Sequence, residues 1–377
     1  MTALHPDVDP DGLLEYSVVY TDRALNHMSK NFQEVMTEIS ATLKSVYHAD
    51  SVAIVPGSGT FGMEAVARQF ATDQDVLVIR NGWFSFRWTQ IFDACDIPKS
   101  STVLMARPTH PEHQAPFAPA ALDEVRAEIE RIRPAVVFAP HVETSAGMIL
   151  PDDYIAAVAD AVHEVGGLFV LDCIASGTIW VDMEATGVDV LISAPQKGWS
   201  GPPCAGLVMM NATARARLDE TTSTSFAADL KKWTEIMETY EGGGHAYHAT
   251  MPTDALRQFH AVMKETEAYG FDKVKAEQQE LGDKVRALLA SKGVRSVAAD
   301  GFRAPGVVVS YTDDPDIKSG SKFSAAGMQI AGGVPLRCGE PSDFSTFRLG
   351  LFGLDKLHNI DRTVASLEDV LDQVLSS

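Results

Sequence analysis

Seven short apolar runs follow one another between residues 51 and 210: SVAIVP, DVLVIR, STVLMA, AVVFAP, LFVLD, DVLISA and AGLVMM. Runs this short and this uniformly apolar are strands buried on both faces, and the segments between most of them are long enough for crossover helices. In ALDEVRAEIERIR the apolar residues Leu122, Val125, Ile129 and Ile132 step by three and four, as do Ile155, Val158, Val162 and Val165 in DDYIAAVADAVHEV. Each segment is therefore a helix with one apolar face. The alternation predicts an α/β fold, a mainly parallel seven-stranded sheet sandwiched by helices, with ligands gathering at the carboxyl ends of its strands.

After Pro252 the texture changes. A polar helical region (about 254 to 292) precedes the strand GVVVSYT, a helix ending near AAGMQIAGG, a strand TFRLGLFG that Arg348 begins, and a last helix carrying Leu367, Val370, Leu371 and Val374. This reads as a smaller C-terminal α+β domain. The expected division is an N-terminal arm over 1–20, a large α/β domain over 21–255 and the small domain over 256–377. No internal repeat or low-complexity tract interrupts it.

The net charge of -20 excludes a nucleic-acid backbone as the main partner, because phosphate chains require a basic footprint. Cys95, Cys173, Cys204 and Cys338 are widely spaced with no CxxC pair, so neither a disulfide framework nor a zinc site is expected. No apolar run approaches the ~18 residues of a membrane helix, and the first residues do not form a secretory signal. The expectation is a cytoplasmic protein without membrane or metal.

Five segments at strand ends carry polar groups of a particular kind. PGSGTFGMEAV follows the first strand and enters a helix, so free backbone N–H groups, the helix dipole and the hydroxyls of Ser58 and Thr60 make an anion site; a plain tight turn fits the same residues. In LFVLDCIAS, Asp172 ends a buried strand, where a carboxylate is costly unless a cation or a proton meets it. Twenty-five residues on, after a connection expected to lack a helix, Lys197 in SAPQKGWSGPP reaches the corresponding end of the next strand. A salt bridge fits this spacing too. An anion cradle, a lysine and a buried acid together nevertheless match pyridoxal phosphate, which needs an amine for its aldehyde, donors for its phosphate and an acid for its ring nitrogen. Phe84 in NGWFSFRW and Ile174 are then candidates for the two ring faces, Thr144 and Ser145 in HVETSAG for the ring oxygen, and Arg348 for a substrate carboxylate. Trp83 and Trp88 read as packing residues.

Taken in order, GSGTFGMEA, NGWF, HVETSAG, LDCIAS, SAPQKGWSGPP and FRLG resemble the class V, fold-type I pyridoxal-phosphate aminotransferases, the group of alanine, serine and aspartate:glyoxylate aminotransferases, from about residue 25 to the end. The resemblance implies that Lys197 condenses with the cofactor's aldehyde and that Gln196 reaches its phosphate together with Ser58, Gly59 and Thr60. It implies further that Phe84 covers the ring, Asp172 holds the ring nitrogen and Arg348 the substrate carboxylate. Tyr247 and Thr250 in AYHATMP are similar to a segment that closes the phosphate site from a neighbouring subunit, which implies a homodimer with shared active sites. The implied reaction moves an amino group from a small amino acid (alanine, serine or aspartate type) to a 2-oxo acid such as glyoxylate or pyruvate.

Two segments depart from the family's pattern. DPDGLLEYSVVY stands where a Pro-Gly-Pro turn is usual, and NHMSKNF has Met28 where an arginine is common. Substrate choice is therefore open, with 2-aminoethylphosphonate:pyruvate transamination as the alternative and Arg337 as a possible second anion anchor or a plain surface residue. A cysteine desulfurase would need a mobile thiol, for which only Cys338 lies near Arg348. A non-catalytic sensor of the cofactor would not need every reactive position filled, as they are here.

Overall fold

The computed structural model describes residues 12–376. All seven predicted runs form strands of one sheet: β1 Ser51–Pro56, β2 Asp75–Arg80, β3 Ser100–Met105, β4 Val136–Pro140, β5 Leu168–Asp172, β6 Val190–Ser193 and β7 Ala205–Met210. Their order is β1-β7-β6-β5-β4-β2-β3. The pairs β6/β5, β5/β4, β4/β2 and β2/β3 are parallel, whereas β7 runs antiparallel to both β1 and β6. Six carboxyl ends consequently lie along one edge of the sheet, and β7 enters from that edge, with Ala205 opposite Pro56.

Helices α1 Lys30–Tyr47, α2 Gly59–Phe70, α3 Trp83–Cys95, α4 Leu122–Ile132, α5 Asp152–Glu164 and α6 Leu230–Glu241 surround the sheet, while α7 Thr253–Tyr269 packs on α1, and α8 Phe271–Ser291 packs on α7 and on α9 Ile360–Ser376. α4 buries Val125 and Ile129, and α5 buries Ile155, Val158 and Val162, the faces that the spacing predicts. Trp88 on α3 packs fully buried against Phe138 of β4, ring centroids 4.4 Å apart. The single polar helical region expected after residue 254 is two helices. Gly270, at φ 108°, breaks it in a conformation that side chains disfavour.

The sequence reading expected the connection between β5 and β6 to lack a helix, but it contains one. Met183–Thr186 forms one turn, started by the Asp182 carboxylate accepting from Ala185 N–H and stopped by Gly187 in the left-handed region. The second sheet, β8 Val307–Tyr311, β9 Ala331–Gly332 and β10 Thr346–Gly350, has the order β8-β10-β9 and is antiparallel throughout. Arg348 lies in the middle of β10, opposite Val309 and Ala331, rather than at its start. The helix expected near AAGMQIAGG is a short one, Ser321–Ala325. Leu367, Val370, Leu371 and Val374 are the buried face of α9. Of the N-terminal arm, residues 1–11 lie outside the described residues; from Gly12 to Tyr20 the chain forms neither helix nor strand. Among the described residues no helix is long and apolar enough to cross a membrane, and no cluster of His, Cys, Asp and Glu is suited to a metal ion.

Candidate active site

β5 and β6 pair in parallel with Asp172 opposite Ile192, so the segments that follow leave the sheet side by side. Asp172 is buried, 7% exposed, and its Oδ1 accepts from Ile174 N–H at 2.9 Å. Burial pushes its carboxyl up to about 7; the Ile174 bond opposes that rise, Glu143 adds to it, and Arg87 and Lys197 oppose it. Lys197 is half-buried, and burial first and Arg348 second hold its ammonium below the ordinary lysine range, while Asp172 pulls the other way. The two groups act on each other through space, without a hydrogen bond between them. A desolvated amine of this kind loses its proton more readily and becomes a better nucleophile.

The lysine's loop is rigid for steric reasons. A Cβ on Gly198 would fall 1.8 Å from the Gly177 carbonyl oxygen, so only glycine lets the two loops pack backbone to backbone. Behind it Trp199, fully buried, meets Trp180 at 4.6 Å and the rings of Phe259 and Phe271 at about 6 Å. On the open side Lys197 Nζ stands 5.6 Å from the Phe352 ring.

The cradle begins where β1 ends. Ser58 is extended and its side chain does not cap α2; its carbonyl instead accepts from Phe61 and Gly62 N–H. The N–H groups of Gly59 and Thr60, in the first turn, have no acceptor within the helix and are suited to an anion. A Cβ on Gly59 would lie 2.5 Å from Ile174 Cδ1, which brings the chain after Asp172 against the cradle. Arg87 Nη1 donates to Thr60 Oγ1 at 3.1 Å. Gln196 Oε1 is buried without a hydrogen-bond partner in the chain, and a buried acceptor of that kind calls for a donor.

α3 carries the third group of residues. Its first N–H groups point at Glu143, fully buried, whose carboxylate accepts from Phe84 and Ser85 N–H and from the hydroxyls of Ser85 and Ser145. Ser145 Oγ in turn accepts from Trp83 N–H at 2.9 Å. Its hydroxyl thus serves the start of α3. Phe84 is flanked by two guanidiniums, Arg87 at 5.4 Å and Arg348 at 5.6 Å from its ring centroid. Arg348 Nε donates to the Gly332 carbonyl at 2.9 Å, and burial lowers its pKa against the opposing pull of Glu143.

Ser58, Gly59, Thr60, Phe84, Thr144, Ser145, Asp172, Ile174, Gln196 and Lys197 all come from the segments that follow the carboxyl ends of the sheet, and Arg348 reaches the same place from β10. Tyr247 and Thr250 do not join them within one subunit. They are exposed, hydrogen bonded to each other at 2.9 Å, and Tyr247 rests on the His27 ring at 5.5 Å. Trp88 is core as expected, and Trp83 packs under the exposed Arg337, whose guanidinium is 5.2 Å from its ring. Cys338 is buried, and burial pushes its thiol up to about 12, which is unsuited to a nucleophilic thiolate. Sequence reasoning missed Glu143, Arg87 and His141, whose Nδ1 meets Ser176 Oγ at 2.7 Å and whose ring burial keeps neutral, its pKa lowered to about 3.

The signals for two of these were present. Arg87 is three residues after Phe84, on the same face of α3, and Glu143 follows the apolar strand β4 by three residues, much as Asp172 ends β5.

A desolvated lysine, a buried acid one strand away, an uncapped helix start and an orphaned buried amide fit pyridoxal phosphate, and with this sheet order they define a fold-type I pyridoxal-phosphate transferase. The chain belongs to the aminotransferase class-V family, whose model matches residues 11–312. It is 26% identical over 359 residues to an alanine–glyoxylate aminotransferase of Callithrix jacchus, covering 92% of this chain and 82% of that one. It is 26% identical over 349 residues to a 2-aminoethylphosphonate–pyruvate transaminase of Vibrio vulnificus, covering 91% and 89%. Among solved structures, an alanine–glyoxylate aminotransferase from Nostoc sp. superposes with a TM-score of 0.76 at 21% identity, over 92% of this chain and 88% of the other. The protein is a pyridoxal-phosphate-dependent aminotransferase.

Proposed function

We propose that this enzyme transfers the amino group of a small amino acid, of the alanine, serine or aspartate type, to a 2-oxo acid such as glyoxylate or pyruvate. The observation that carries this reading is Lys197, a desolvated amine between the buried Asp172 and the guanidinium of Arg348. The similarity to an alanine–glyoxylate aminotransferase supports the substrate class.

In this reading the cofactor supplies an aldehyde that exchanges amines and a ring that withdraws electrons. Ser58, Gly59, Thr60 and Gln196 would hold its phosphate, Thr144 would stand at its ring oxygen, and Phe84 and Ile174 would enclose its ring. Asp172 keeps a proton on the ring nitrogen, and the low dielectric around a 7%-exposed carboxylate strengthens that contact. Lys197 Nζ takes a proton from the carbon bearing the amino group and returns one during the transfer, a role that its lowered pKa suits. Arg348 orients both substrates by their carboxylates in a bidentate fork. Tyr247 and Thr250 of the partner subunit complete the phosphate site, which makes the working unit a homodimer. The free cysteines are consistent with a cytoplasmic enzyme.

Replacing Lys197 by Ala should remove the visible absorbance of the lysine-bound cofactor and lower turnover by at least about 100-fold. A Lys197→Ala enzyme with full turnover overturns the assignment. A panel of amino donors and oxo-acid acceptors, followed at the cofactor's absorbance, then identifies the substrates.

A second reading, 2-aminoethylphosphonate as donor, is favoured by the Vibrio relative and by the exposed Arg337 guanidinium on Trp83, since a phosphonate needs a further cation. No turnover with 2-aminoethylphosphonate ends it.

A further inference from the structure

Away from Lys197, α8 and β8 wall a cavity of about 520 Å3 whose charged lining is three guanidiniums, Arg286, Arg295 and Arg303, against one carboxylate, Glu112. In a chain of net charge -20 this is an inverted local balance. Its volume falls within the roughly 300–1,000 Å3 of small-molecule sites. Part of the wall is apolar, formed by Leu289, Val294 and Val308.

Arg286 is the decisive residue. Its Nη2 donates to the carbonyls of Gly147, Ala304 and Val307, at 3.3, 2.6 and 3.2 Å, and its Nη1 reaches Ser296 Oγ at 3.4 Å. These bonds fix the guanidinium but leave its charge uncompensated. Among the described residues the charged groups that act on it are Arg303, which opposes its ionisation, and Asp283, which favours it more weakly; burial first and Arg303 second lower its pKa to about 10. Arg303 is itself paired with Asp300, an exposed side chain that a stronger anion can displace. Arg295 is exposed, and its Nη1 makes only a long 3.4 Å contact to the His113 carbonyl. Two guanidiniums that repel each other across a hollow are relieved by a doubly charged anion; Arg286 contributes a fixed positive charge, and the forks of Arg295 and Arg303 match phosphate oxygens in pairs.

We propose that this cavity is a second ligand site, for a phosphate group carried free or as a monoester on an apolar body, distinct from the cradle at Ser58–Thr60. The holoenzyme is the material for the test, because its cofactor already fills the cradle. Calorimetric titration with AMP, inorganic phosphate and citrate compares the wild type with the double variant Arg295→Gln, Arg303→Gln and with Ala290→Trp. Ala290 is an exposed residue of α8 on the rim, and the indole fills the hollow without changing charge.

AMP or phosphate should bind the wild type, and the double variant should weaken that binding about tenfold or more, the worth of a lost charge-assisted bond. Ala290→Trp should abolish AMP binding. AMP tighter than phosphate assigns the site to an ester with an organic body, and equal affinities assign it to free phosphate. No binding by the wild type, equal affinity in all three proteins, or binding of citrate without either phosphate overturns the proposal. Transaminase activity equal to wild type shows that the variants are folded; if the double variant is not, the outcome with Ala290→Trp decides.

Discussion

Asp172 ends β5, 7% exposed, in surroundings that disfavour the charged carboxylate. Without cofactor its carboxyl titrates near 7 because burial penalises the charge, whereas in the unfolded chain an aspartate titrates near ~3.9. Between those values the native protein holds a proton that the unfolded chain has released. Stability from this group is therefore complete below about pH 4 and falls as pH rises toward about 7, by up to about 4 kcal/mol. In the cofactor-free enzyme the melting temperature of the wild type should rise relative to Asp172→Asn as pH drops from 7.5 to 5. A difference that stays flat would mean that Asp172 is ionised throughout and that the burial argument fails. Glu143 is held by donors instead: its carboxylate accepts from the N–H and O–H groups of three residues, Phe84, Ser85 and Ser145. Glu143→Ala strands those buried donors and should cost about 3 kcal/mol in urea unfolding, with Glu143→Gln recovering part of it. Lys197 and Asp172 were legible because a charged residue at the end of an apolar strand contradicts its surroundings. Arg87 and Glu143 escaped because Thr60, which Arg87 meets, and the start of α3, which Glu143 meets, lie in other segments, and a linear sequence does not show which loops meet.

At the scale of elements, six of the seven strands were legible because each is buried along nearly its whole length, and β3, exposed at Ser100 and Ser101, was legible from the apolar Val103, Leu104 and Met105 at its end. The break at Gly270 was not, since both helices around it are amphipathic and the glycine's left-handed conformation appears only in three dimensions. The seating of α3 depends on a similar local fact. Gly82 is extended, so its backbone tolerates any residue, but a Cβ there would lie 2.0 Å from Ser145 Oγ and 2.7 Å from Glu143 Cδ. Gly82→Ala must push α3 away from the 143–145 loop, displacing Phe84 and Arg87 together. The expected result is a loss of about 1–3 kcal/mol in thermal or urea unfolding, with weaker retention of the cofactor on dialysis. An alanine variant with wild-type stability and cofactor affinity would show that α3 can move without consequence for the site.

For the whole molecule the remaining question is why apolar side chains stay uncovered. Leu13, Leu14, Tyr16 and Val18 in the arm are 68–102% exposed, and Phe61, Phe226 and Tyr247 are 52–76% exposed. Phe61 belongs to the first turn of α2, and Phe226 stacks on His248, next to Tyr247, at 4.6 Å. A monomer seldom exposes so many large apolar groups, and a second copy covering them would bring Tyr247 and Thr250 to the cradle beside Phe61. If each site takes Lys197 from one subunit and Tyr247 and Thr250 from the other, two inactive proteins should repair each other. One carries Lys197→Ala, the other Tyr247→Ala with Thr250→Ala. Refolded together in equal amounts, half the dimers are mixed, and each mixed dimer has one site with both parts intact. Activity should recover to about a quarter of the wild-type value, from nearly none in either parent. Should the mixture stay as inactive as its parents while gel filtration reports mixed dimers, Tyr247 and Thr250 act within their own subunit and the shared site is wrong.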